Sequence, residues 1–207
     1  MKSRVIIPIF LALLSAGFLT YYYYEYKQNP RKLATLGLPG HKVGAFSFTN
    51  QDGKVVTNKD VENKIKVIEY FFTTCQGICP KMNENMSKVF MAFRNNDNVV
   101  ILSHTVDPEV DTVAQLKRYA NKFEADSKHW HFLTGDKKEL YDMAFEDYLI
   151  NVADSGQGEV TPQFIHTQKF LIVDKYDRIR SRSYDGTKEE EVQQMIKDIE
   201  VILKEKD

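Results

Sequence analysis

From residue 44 onward, apolar and polar positions alternate between two rhythms, and each change of rhythm marks a new element. In "GAFSFTNQDGKVVT" alternating apolar residues flank Asp52-Gly53, a strong turn signal, and this predicts a β-hairpin. "KVIEYFFTT", Lys66 to Thr74, is a β-branched and aromatic run of strand length with both faces largely apolar, so it predicts a central strand. "PKMNENMSKVFMAFRNN" then places Met82, Met86, Val89, Phe90 and Phe93 at helical spacing.

The same alternation continues to the C-terminus. "NVVILSHTVDPE" predicts a second strand and "DTVAQLKRYANKFEA" a helix, with Asp111 as its N-cap. "HWHFLTG" predicts a short strand, and "DKKELYDMAFEDYLI" a helix opened by Asp136. "FIHTQKFLIVDKYDRIRSRSYDG" reads as a strand pair turning at Asp174 to Asp177. "TKEEEVQQMIKDIEVILKE" reads as an amphipathic helix starting at Thr187, with Glu190 in the capping-box position. Strands alternating with helices predict an α/β sheet covered on both faces, with no internal repeat.

The first thirty residues depart from this pattern. Val5 to Thr20 carries no charge, and Tyr21 to Tyr24 extend it to roughly the ~20 residues that span a bilayer as a helix. Lys2 and Arg4 on one side and the tyrosine cluster on the other fit a positive-inside end and an interfacial aromatic belt. The competing reading is a cleaved signal peptide, but "SAGF" followed by bulky tyrosines is a poor cleavage site, so a retained anchor is preferred. The expected organisation is an anchor over 1–24, a linker over 25–40 containing "KQNPRKLATLGLPG", and an exported domain over 41–207. Such a topology suits a bacterial inner membrane with the domain in the periplasm better than a mitochondrial intermembrane space, because no Arg- and Ser-rich transit peptide precedes it.

Composition narrows the partners. The 207 residues hold 28 Lys plus Arg against 29 Asp plus Glu, a formal net charge of -1. Without a basic run interleaved with aromatics, nucleic acid is not an expected partner.

Cys75 and Cys79 are the only cysteines and stand four residues apart in "TTCQGICPKM". A structural disulfide between them would close a very small loop and constrain the unfolded chain little. A redox pair and two soft metal ligands remain open. Pro80 is comfortable only in the first turn of a helix, which places the cysteines across the strand-to-helix junction. There the free N–H groups and the positive helix end are expected to lower a thiol pKa, and the thiolate serves either role.

A copper site built on two thiolates also wants an imidazole. Of the five histidines, His41 reads as a solvated linker residue. His129 and His131, at i and i+2, share a strand face and read as an ordinary strand edge rather than a chelate. His104, ending the second strand, and His166, opening the last strand pair, read as structural by spacing alone.

Beyond spacing, these residues resemble the SCO/SenC group of thioredoxin-fold copper proteins, which help build the copper centre of cytochrome c oxidase. "FFTTCQGICP" is similar to that family's strand and C-x-x-x-C-P, and "VDPEVDT" to its V-D-P-x-x-D-T block. "WHFLTG", "DYLI" and "FIHTQKFLIVD" match its W-x-x-L-T-G strand, the tail of its next helix and its histidine-bearing segment. The blocks run in order from about Val43 to the C-terminal helix.

The resemblance implies a thioredoxin-like α/β fold with an N-terminal β-hairpin extension and a single membrane anchor. It implies Cys75, Cys79 and His166 as ligands of a copper ion, Cu(I) or Cu(II). Asp107 is either a residue that orients a ligand or a turn residue before Pro108. It implies a membrane-tethered chaperone that delivers copper to the copper domain of oxidase subunit II and works beside other copper chaperones or thiol reductants. The alternative is a thiol-disulfide oxidoreductase acting on the cysteines of the oxidase subunit or of another copper protein, with Cys75 attacking and Cys79 resolving. One departure stands out: many relatives carry an acidic residue between the cysteines, and here the loop is Gln76-Gly77-Ile78.

Overall fold

The computed structural model describes residues 3–28, 33–150 and 167–205. The chain divides into two compact units, Met1–Lys32 with Lys204–Asp207, and Leu33–Leu203. In the first, the charge-free run forms one helix, α1 (Ser3–Gln28). Ser15 and Thr20 turn their hydroxyls back onto the carbonyls of Ala12 and Ala16, each at 2.9 Å. The structure leaves the expected anchor unsupported: among the described residues no helix is long and apolar enough to cross a membrane. The membrane reading rests on the sequence pattern alone.

The second unit is built on a seven-stranded sheet. Its strands are β1 (Ser47–Asn50), β2 (Val55–Thr57), β3 (Ile65–Phe71), β4 (Val99–Thr105), β5 (Trp130–Thr134), β6 (Lys169–Val173) and β7 (Ile179–Asp185). They lie in the order β2-β1-β5-β4-β3-β6-β7. β3 and β4 run parallel with Phe71 opposite Thr105, β4 and β5 are also parallel, and the remaining pairs are antiparallel. As the continuous apolar pattern predicts, every residue of β3 and β4 is buried. The predicted hairpin is β1–β2, closed at Gly53 with φ +72°, a left-handed conformation that favours glycine.

Helices α2 (Cys79–Phe93), α3 (Val113–Asn121) and α5 (Glu189–Lys204) cover one face, where Met82, Met86, Leu116, Val192 and Ile199 meet Val67, Ile101 and Phe132. The hairpin and α4 (Lys137–Asp142) cover the other, where Phe48, Leu140 and Tyr148 meet Ile68, Leu102 and Leu133. The sheet is thus enclosed on both sides, as the alternation of elements predicts.

Four local expectations need correction. Asp111 does not cap α3; Thr112 does, accepting the N–H of Gln115 at 3.4 Å. α5 begins at Glu189 rather than Thr187, because the Thr187 hydroxyl and N–H both donate to Asp185, at 2.6 and 3.0 Å. The helix after β5 widens into a π turn over Met143–Asp147 rather than running on as α-helix to Ile150. His41 is not simply solvated: its ring Nε2 meets the Asp147 carbonyl at 2.8 Å, while the Asp147 carboxylate takes the N–H of Gly44 at 2.7 Å.

The end of the expected linker also belongs to the sheet. Thr35 bridges Arg180 in antiparallel fashion, with Leu36 N–H donating to the Ile179 carbonyl at 2.9 Å and Ser181 N–H to the Ala34 carbonyl at 2.6 Å. Leu33 and Leu36 pack against the two cores. A short strap therefore lies along the outer edge of β7.

Candidate functional site

β3 and β4 end side by side, Phe71 opposite Thr105. β3 stops at Phe71, and the chain crosses Phe72 to Ile78 before Cys79 and Pro80 open α2. Proline fits there because a first-turn N–H has no helical acceptor. The first turn carries no acidic side chain and Ile78 supplies no side-chain cap, so the helix end keeps its N–H groups. Cys75 N–H donates to the Phe72 carbonyl at 3.3 Å, closing a turn.

The two cysteines face each other across this turn. Both are free thiols, Cys75 half-buried and Cys79 4 % exposed, and Cys75 lies close enough to act on the Cys79 thiol. The Cys79 thiol is pushed up to about 12, chiefly by burial, with the Cys75 thiol and the charge of Glu69 acting in the same direction against a hydrogen bond to the Phe72 backbone. The expected lowering does not appear at Cys79, where desolvation of the thiolate dominates.

Three groups that sequence spacing does not tie to the pair lie near it or hold its loop. Glu69 lies in β3, 1 % exposed; Ser103 Oγ donates to its Oε1 at 2.5 Å and itself accepts the Trp130 indole N–H at 2.8 Å. Its Oε2 has no hydrogen-bond partner among the described residues, and burial raises the carboxyl to about 8 despite the Ser103 bond. Tyr119, stacked on Phe71 at 5.4 Å, has its hydroxyl pushed well up by burial and then by the charges of Glu69 and the two cysteines. Asp111, fully buried, accepts the Thr73 N–H at 3.2 Å and the Thr73 hydroxyl at 2.5 Å, together with the Thr105 hydroxyl. Burial raises its carboxyl, and these hydrogen bonds oppose the rise. The legible signals were a glutamate inside an apolar strand and the second aspartate of "VDPEVDT".

Asp107 serves its turn through its backbone: its N–H donates to the Thr105 hydroxyl at 3.0 Å, and its carbonyl accepts the N–H of Val110 and Asp111 at 3.1 and 2.8 Å. His166 lies outside the described residues. Thr167, the next residue in the chain, lines a narrow crevice with Phe72, Ile78, Cys79 and Val106.

The other histidines stand apart. His129 bonds Asp126 and Asp97 at 3.1 and 3.2 Å, and His131 bonds Asn50 at 3.2 Å. His104 projects from β4 to the opposite face of the sheet, boxed by Tyr70, Phe48 and Tyr148 at 5.1 to 5.6 Å between ring centres. Among the described residues, no group of three or more His, Cys, Asp or Glu could hold a metal ion. The two thiols therefore need a donor from elsewhere to complete a three-ligand set.

Comparison with known proteins agrees with this geometry. The chain is 30% identical over 161 residues to the SCO1 protein homolog of Bacillus subtilis, covering 77% of this chain and 81% of that protein. The structure of BsSco, a member of the Sco family of cytochrome c oxidase assembly proteins in which a disulfide switch was identified, superimposes with TM-score 0.67 at 26% identity, covering 85% of this chain and 100% of that one. Bradyrhizobium japonicum ScoI with copper bound gives TM-score 0.58 at 27% identity, covering 76% and 99%. The SCO1/SenC family model matches residues 35–204. With its thiol pair, its sheet and this match in agreement, the chain belongs to the SCO1/SenC family.

Proposed function

We propose that this chain binds copper at Cys75, Cys79 and His166 and hands the ion to the copper domain of cytochrome c oxidase subunit II during oxidase assembly. The observation that carries the reading is the pair of facing thiols at the β3–α2 junction, one half-open and one buried. Two thiolates suit soft Cu(I), and a half-exposed Cys75 leaves a side from which an acceptor's ligands can displace it. The place of Thr167 in the crevice beside Cys79 supports His166 as the imidazole donor. Membership of the family, and relatives solved with copper bound, support the cargo. We place the domain on the periplasmic side of a bacterial inner membrane, tethered through the charge-free run of α1, on the sequence pattern of Lys2, Arg4 and the tyrosine cluster. Asp107, in the turn beside Asp111, is assigned the lesser role of tuning charge there, since its charge adds to the rise at Asp111.

The test is a Cu(I) titration of the reduced full chain against a competing chelator, without oxygen. One copper per chain is expected, with affinity reduced at least ~10-fold (about 1.4 kcal/mol) in His166→Ala and tight binding lost in Cys75→Ser. Unchanged stoichiometry and affinity in Cys75→Ser would overturn the assignment.

The asymmetry of the thiols also favours a second reading, thiol-disulfide exchange, in which the open Cys75 attacks and the buried Cys79 resolves. His166→Ala separates the two, because it should weaken copper binding at least ~10-fold while leaving exchange at the wild-type rate.

A further inference from the structure

We propose that Asp111 is the positioning residue of the thiol pair, acting through Thr73 to fix where Cys75 stands relative to Cys79. The inference rests on the reading of these thiols as the functional site and names a residue that governs them without touching either.

The chain between the end of β3 and the start of α2 has no ladder bonds to hold it. Its hold comes from the next parallel strand. Asp111, wholly buried in the loop after β4, takes both the N–H and the hydroxyl of Thr73, two residues before Cys75, and the hydroxyl of Thr105 at the end of β4. Gln115 of α3 donates to the same Thr73 hydroxyl at 3.0 Å. The Cys75 N–H to Phe72 carbonyl bond then closes a turn around the pinned residue. The carboxylate thus ties the loop to β4, and Gln115 ties the same Thr73 hydroxyl to α3. A carboxylate removed from water is costly unless its oxygens are filled, and three donors fill them here. A disulfide and a two-thiolate metal site each demand a narrow range of sulfur positions. Freeing Thr73 widens the range that Cys75 samples and weakens both.

Four variants of the full chain test this: Asp111→Asn, Thr73→Val, the pair combined, and Thr73→Ser, which keeps the hydroxyl. Each is equilibrated with a dithiothreitol redox buffer to obtain the dithiol–disulfide equilibrium constant, and titrated with Cu(I) against a chelator, with thermal unfolding recorded alongside. Asp111→Asn and Thr73→Val are expected to shift the redox equilibrium and weaken Cu(I) binding at least ~10-fold, Thr73→Ser to stay within about twofold, and the double variant to fall no further than the worse single, as residues acting as one unit do. Full additivity, or wild-type values in the folded Thr73→Val variant, overturns the inference. If Asp111→Asn fails to fold, the Thr73 pair alone decides. If the wild-type chain binds no Cu(I), the copper reading falls while the redox equilibrium still decides the role of Asp111.

Discussion

Replacing His104 with leucine is expected to remove much of the protein's sensitivity to acid. His104 is fully buried on the face of the sheet opposite the cysteines, neither ring nitrogen makes a hydrogen bond of good geometry among the described residues, and burial, opposed by the nearby Leu102 and Glu69 backbone, depresses its pKa from 6.5 to about 3. The folded state therefore keeps the ring neutral while the unfolded chain takes up a proton below pH 6.5. Its penalty is absent at neutral pH, grows as pH falls from 6.5 towards 3, and then levels off. At pH 4.5 the difference is about 2.7 kcal/mol, from ~1.36 kcal/mol for each of two pH units. For a domain of this size that corresponds to roughly 5–10 °C in Tm.

The informative measurement is Tm of wild type and His104→Leu at pH 7 and pH 4.5. Loss of the aromatic contacts will move both values, but the gap between wild type and variant should shift in the variant's favour at pH 4.5. A gap identical at the two pH values would mean that His104 does not titrate as argued. His131, depressed to about 4 mainly by burial and next by the charge of Lys64, titrates over part of the same window and is left untouched, so some acid sensitivity will persist.

Glu69→Gln should act in the opposite direction. Here burial raises the folded pKa from 4.5 to about 8, so the fold holds a proton that the unfolded chain has lost, and stability drains away as pH rises between those values. By pH 8 the accumulated penalty is about 4 kcal/mol, and glutamine removes it. An amide facing the space around Oε2 brings its own unsatisfied group at about 1–3 kcal/mol, but that cost is the same at every pH. Denaturant melts of the reduced, metal-free chain at pH 5 and pH 8 should show the variant gaining on wild type only at the higher pH. An equal change at both would refute a titrating Glu69. Because the Glu69 charge also pushes the Cys79 thiol upward, the variant should alkylate at Cys79 faster than wild type at alkaline pH.

Much of this molecule can be read from its sequence because burial writes itself into hydrophobic period. The unbroken apolar runs of β3 and β4, the hairpin at Asp52-Gly53 and the helical stripe of Met82, Met86 and Phe90 all stand where that period puts them. Pro80 was enough to place Cys79 in the first turn of α2. What escaped the period were side chains whose partners lie far along the chain. Asp111 has the residue type and position of a cap, yet its acceptors serve Thr73, 38 residues earlier, and Thr112 next to it does the capping. Glu69 interrupts a strand whose two faces both read as core, which marks it as buried, but nothing local says that a thiol stands beside it. His41 finds its partner 106 residues away. Copper ligation by His166 came from the family resemblance and from no spacing in the chain.

The strap of Ala34 to Leu36 bears on which edge of the sheet is open to other molecules. An uncovered outer strand offers a row of N–H and carbonyl groups to any neighbour of the same kind, which is how sheets join between molecules. Here the chain covers part of that row on β7 with its own backbone, and the Arg180 guanidinium fastens the start of the cover by donating to the Leu33 carbonyl at 2.9 Å. A shortened chain starting at Leu38 would still contain both cysteines, yet it would uncover that stretch of β7 and take the Leu33 carbonyl from Arg180. It should be more prone to associate edge to edge than one starting at or before Leu33, and association rather than lost chemistry would then be the first defect seen.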